Sequence, residues 1–133
     1  MGRAARALPS SPERGPLARL LLAVGDVHLE RALAEAGLRA VGVVRDAGEL
    51  RRHARPDVAE GVVLSAHLPG ADAALVAALP SGWGLVLLAG LPGPRAAALA
   101  AAALRRPPAR VLAGPWLPPA AVLRAAAAAG PDP

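Results

Sequence analysis

Five times along this chain a short apolar run is followed by a break at Gly, Asp or Pro and then by a segment that suits a helix. The repeat is about 20 residues long, the length of a βα unit. Arg19–Val24, Ala40–Val44, Gly61–Ser65, Leu85–Ala89 and Arg110–Ala113 are the five predicted strands. Their lack of alternation fits strands buried on both faces. The last is the weakest.

The intervening segments carry helix signals. Asp26 can cap a first helix whose inner positions are Leu29, Ala32, Leu33 and Ala36, with Gly37 ending it. Asp46 and Glu49 have the spacing of a capping box for a second helix running to Ala54, before Arg55-Pro56. A third is expected over Ala71–Leu79, with Leu75, Val76 and Leu79 inward and Pro80-Ser81-Gly82 closing it. After a loop over Gly90–Pro94, Arg95–Leu104 forms a fourth, Ala-rich helix that Pro107-Pro108 stops. Pro118-Pro119 starts a fifth, with Val122, Leu123 and Ala126 inward.

Right-handed crossovers place such helices on both faces of a parallel sheet. Five strands are too few for an eight-stranded barrel. The expected fold is an open, doubly wound α/β sheet of five parallel strands, flavodoxin-like in the order 2-1-3-4-5. It spans residues 17–129, between a flexible leader over residues 1–16, broken by Pro9, Pro12 and Pro16, and a tail over residues 130–133.

Composition restricts the chemistry. The 133 residues include no Cys, Lys, Thr, Asn, Gln, Ile, Phe or Tyr, and every basic residue is Arg. Such usage is what codon bias in a GC-rich bacterium is expected to give. Without Cys there is no disulfide framework, thiolate metal site or thiol nucleophile. The net charge of +5 is concentrated at the ends: residues 1–19 carry +3, residues 20–104 carry −1 and residues 105–133 carry +3. A nucleic-acid-binding domain concentrates cations on one face or recognition helix, so no specific nucleic-acid partner is expected. Leu20–Val24 is too short to span a membrane or serve as a signal core, so a cytoplasmic, non-membrane protein is expected.

Three motifs at the strand ends resemble those of the receiver domain of bacterial response regulators. Ser65-Ala66-His67-Leu68-Pro69-Gly70 has the spacing of the family's Asp-x-x-Leu/Met-Pro-Gly, with Ser65 at the phosphoacceptor. Leu87-Leu88-Ala89-Gly90 resembles the end of strand four, with Ala89 at the switch Thr or Ser. Gly114-Pro115-Trp116 resembles Lys-Pro-Phe, with Gly114 at the Lys. Of the acidic pair after strand one, at most Asp26 remains. Ala23–Asp26, Leu29–Gly37 and Val62–Gly70 also resemble the degenerate receiver-like region ahead of some MinD/ParA-type ATPase domains, including pilus-assembly ATPases. No ATPase motif is present here, because a P-loop needs a Lys.

The resemblance implies a pseudo-receiver. Phosphoryl transfer in a receiver needs a carboxylate nucleophile, Mg²⁺ held by oxygen ligands and a cation for the developing charge. Ser65, Ala89 and Gly114 supply none of these. The expectation is a non-enzymatic regulatory or protein-interaction module with no cofactor. Its partner would be a protein, either a MinD/ParA-type ATPase or a second copy, and Trp116 and Leu117 mark a candidate partner face.

Two alternatives use the same edge. Asp26-Val27-His28 resembles the start of the cobalamin motif Asp-x-His-x-x-Gly, but Arg31 stands at the Gly position. An N-cap Asp followed by a solvated His explains the same residues. Asp26, Ser65 and His67 could form a hydrolytic site, but there is no Gly-x-Ser-x-Gly elbow. A metal held by Asp26 and His67 would be short of ligands.

Overall fold

The computed structural model describes residues 19–106, 109–114 and 118–128. Its elements alternate strictly: β1 (Leu20–Ala23), α1 (Val27–Glu35), β2 (Gly42–Val43), α2 (Ala47–His53), β3 (Gly61–Ser65), α3 (Ala73–Ala77), β4 (Gly84–Gly90), α4 (Pro94–Leu104), β5 (Ala109–Ala113) and α5 (Pro119–Ala128). All five strands are parallel, in the order β2-β1-β3-β4-β5. This is the flavodoxin-like α/β arrangement that the repeat predicts.

Period-two alternation divides the strand side chains between two apolar layers. Leu21, Val62, Leu64, Leu85 and Leu87 face Leu50 of α2, Leu75 and Val76 of α3, and Leu99 and Ala103 of α4. Leu20, Leu22, Val63, Val86 and Leu88 face Leu33 of α1 and Val122, Ala125 and Ala126 of α5. Each fully buried Leu or Val contributes about 1.5–3 kcal/mol of transfer free energy.

The structure corrects several expected boundaries. β2 is two residues long rather than Ala40–Val44: it is an edge strand, laddered on one side only through Gly42 and Val43, and it leaves Val41 and Val43 exposed. The flanking Val41 and Val44 still donate to Leu20 and Leu22 of β1. The third helix is Ala73–Ala77, not Ala71–Leu79. Ala71 is spent in a turn onto Leu68, and Asp72 adopts an extended N-cap conformation whose carboxylate accepts from the Leu75 N–H at 2.8 Å. β4 gains Gly84 and Gly90, and α4 gains Pro94 at its first turn, so the connecting loop is shorter than expected. β1 loses Arg19 and Val24, and β5 gains Ala109. Ala36 is the exposed C-cap of α1 rather than an inner residue, and Leu123 is only half-buried while Ala125 is buried.

The Asp46–Glu49 capping box forms with a shift. Asp46 accepts from the Glu49 N–H at 2.8 Å, but the Glu49 carboxylate accepts from the N–H of Arg45 at 2.6 Å. Arg45 also donates to Glu30 of α1 at 3.0 Å, which ties α1 to the β2–α2 connection.

Candidate functional site

Where the strand order reverses, between β1 and β3, an open parallel sheet leaves a crevice at the carboxyl ends of its strands. Here positions at or just beyond the carboxyl ends of four strands carry little or no side chain. Gly25 follows β1, Ser65 ends β3, Gly90 ends β4 and Gly114 follows β5. The result is a cleft of about 600 Å³, walled by apolar groups such as Leu29, Leu88 and Pro119. Its polar lining is Asp26, His28, Ser65 and His67. Topology therefore gathers Asp26, His28, Ser65 and His67 among the residues that the sequence singles out.

Each of them already has a local role. The Asp26 carboxylate accepts from the N–H groups of His28 at 2.9 Å and Leu29 at 3.3 Å, capping α1. His28 is exposed on the first turn. Ser65 is buried, and its hydroxyl oxygen accepts from the His67 backbone N–H at 3.0 Å. The His67 imidazole lies over Gly90, where a Cβ would stand 2.8 Å from Nε2. Ser65 thus meets the backbone of His67, while the ring faces another strand.

Ala89 does not line the cleft, although Leu88 and Gly90 on either side of it do. The β4–β5 register shifts between Leu88 and Gly90, so Ala89 occupies an irregularity in the ladder and is buried. Gly114 donates its N–H to Gly90 at 3.0 Å and lines the cleft beside the start of α5. Trp116 and Leu117 lie outside the described residues, as do the leader and the tail.

The donor set does not fit Mg²⁺ as a receiver holds it. Among the described residues Asp26 is the single carboxylate lining the cleft, and its Oδ1 is engaged in the cap, which leaves one carboxylate oxygen where a receiver uses several oxygen ligands. Among the described residues no group of three or more His, Asp or Glu could hold a metal ion.

Sequence reasoning missed two cationic clamps on the opposite helical layer. Arg95 donates through Nε and Nη2 to the Ala71 carbonyl and through Nη2 to that of Leu68, holding the turn after β3. Arg106 donates to the carbonyls of Val76, Leu79 and Pro80 at the end of α3. Burial lowers the pKa of this guanidinium, since desolvation disfavours its charged form. The signal was present in the isolated Arg residues flanking an otherwise apolar helix, but their targets are backbone carbonyls more than 20 residues away. Trp83 was also missed as core: it is buried, and its indole N–H has no acceptor among the described residues.

Comparison with protein-family models, curated proteins and solved structures gives no match.

Proposed function

We propose that this chain is a pseudo-receiver: a non-enzymatic regulatory or protein-interaction module that signals through partner binding rather than aspartyl phosphorylation. The observation that carries this reading is the state of the β3 terminus. Ser65 stands at the phosphoacceptor position of a receiver-like sheet, with its oxygen committed to the turn that follows. Oδ1 of Asp26, the carboxylate that shares the cleft, is engaged in a helix cap, and the sequence has no Lys to neutralise a transferred phosphoryl group. A protein partner, either a MinD/ParA-type ATPase or a second copy, and a cytoplasmic setting belong to the same proposal. Among the described residues no helix is long and apolar enough to cross a membrane.

The test is incubation of the full chain with acetyl phosphate and Mg²⁺, followed by intact mass. An unchanged mass agrees with the proposal. Stoichiometric addition of one phosphoryl group overturns it.

The cleft favours a second reading, a small-molecule-binding domain. Its volume of about 600 Å³ falls in the range of ligand pockets, and glycines keep its floor bare. Cobalamin is the sharpest probe, because the Asp26-Val27-His28 resemblance specifies His28 as the ligand. A His28-dependent change in the cobalamin absorption spectrum establishes this reading; an unchanged spectrum removes the cobalamin form of it.

A further inference from the structure

Three glycines of the cleft hold left-handed backbone: Gly25 at φ +67°, Gly90 at +73° and Gly114 at +125°. A side chain at any of them would be strained, so the floor stays bare peptide. The walls around it are apolar, formed by Val24, Leu29, Ala32, Leu88, Leu91 and Pro119. Leu91 lines the cleft and is still 61% exposed. Bare backbone between apolar walls suits the face of a flat ring, which can approach the peptide planes with no Cβ to hold it off.

Charge narrows the class of ring. Among the described residues the cleft is lined by one carboxylate, Asp26, and by no Arg. Pro115-Trp116-Leu117, which joins Gly114 to Pro118 in the chain, adds no charged side chain. The two N–H groups that Asp26 caps both bond Oδ1. Oδ2 accepts from no described residue, and Asp26 is exposed. The apolar slot therefore carries a carboxylate oxygen that is open to a donor. His28, Ser65 and His67 complete the polar lining. A hydroxyl and a neutral imidazole accept as well as donate, so neither opposes a cation. A phosphate or carboxylate would meet the like charge of Asp26 instead.

We propose that the cleft binds a small aromatic cation, a flat apolar ring bearing an amidinium or a protonated amine. The ring lies over Gly25, Gly90 and Gly114, and the cation donates to Oδ2 of Asp26. This class of ligand rests on the reading of the cleft as a small-molecule site, and it is independent of the partner-binding reading.

The experiment is an amide NMR titration of the full chain at about pH 7.5, where an ordinary imidazole is mostly neutral. The probes are benzamidine, benzamide and benzoate, which share one flat shape and differ in charge. Benzamidine is expected to give saturable shifts centred on Gly25, His28, Gly90 and Gly114. It is expected to bind at least about ten-fold tighter than benzoate, with benzamide between them. Asp26→Asn keeps the cap, because Asn caps equally well, and is expected to bring benzamidine within about two-fold of benzamide. Ala32→Phe places a ring in the cleft and is expected to abolish binding; Ala32→Met substitutes if the amide spectrum shows that Ala32→Phe does not fold. Binding of benzamide or benzoate as tight as that of benzamidine, at the same glycines, overturns the cationic class and leaves the small-molecule reading standing. So does a benzamidine affinity that Asp26→Asn leaves unchanged. No saturable shift from any of the three, or shifts centred away from the cleft, overturns the proposal, and a His28-dependent cobalamin spectrum would then still uphold the small-molecule reading.

Discussion

The backbone N–H of His67 donates to the hydroxyl oxygen of Ser65 at 3.0 Å. The residue at the end of the central strand therefore behaves as a turn-forming serine, accepting from the backbone two residues on. A side chain that a receiver would aim at a phosphoryl donor is turned into its own loop. Ser65 is the buried polar residue at the carboxyl end of an otherwise apolar strand, and this bond gives its oxygen a partner.

Ser65→Ala is expected to destabilise the chain by about 1 kcal/mol, the usual net loss for one hydrogen bond. Urea denaturation measures it. Ser65→Asp restores the carboxylate alone. It is expected to remain unlabelled by acetyl phosphate, because neither the second acid nor the cation returns with it.

Gly90 has φ of +73°, a left-handed conformation. Gly90→Ala is expected to cost about 1–2 kcal/mol from backbone strain. Its Cβ would also meet His67 Nε2 at 2.8 Å, but the exposed imidazole can swing away. A double-mutant cycle with His67→Ala should therefore give a coupling below about 0.5 kcal/mol. A larger value would mean that the ring is fixed over Gly90.

Arg106 satisfies three carbonyls at the end of α3. Arg106→Met is expected to lose about 2–3 kcal/mol, in the range of hydrogen bonds to charged groups. Arg106→Lys should fall between, since an ammonium lacks the planar fork. Although burial lowers its pKa, the guanidinium stays protonated from about pH 5 to 9, so the loss should be flat with pH there. Thermal melts across that range check both points.

Asp72→Ala removes the N-cap of α3 and is expected to cost about 1 kcal/mol, whereas Asp72→Asn should be nearly neutral because Asn caps equally well. Chemical denaturation of the two variants side by side separates the cap from the charge.

The strands and their order were legible because Leu22, Val63 and Leu87 sit in short, unbroken apolar runs, and right-handed crossovers leave little choice of topology. Element ends were less legible. Asp72 reads as part of a helix until its extended backbone is seen, and the ladder irregularity at Ala89 follows from pairing with β5. Of the site, the gathering of Asp26, His28, Ser65 and His67 was foreseeable from the strand order. What each atom bonds was not, because the His67 ring over Gly90 and the Arg95 and Arg106 clamps depend on contacts between distant segments.

Titration of the full chain with beryllofluoride and Mg²⁺, followed by amide NMR, tests most directly the proposal that the carboxyl edge has no phosphoryl chemistry. The expected spectrum shows no saturable shift at Gly25, Ser65, Gly90 or Gly114. Saturable, Mg²⁺-dependent shifts centred on those residues would contradict it, because they would show that the edge still holds a phosphoryl mimic with its metal.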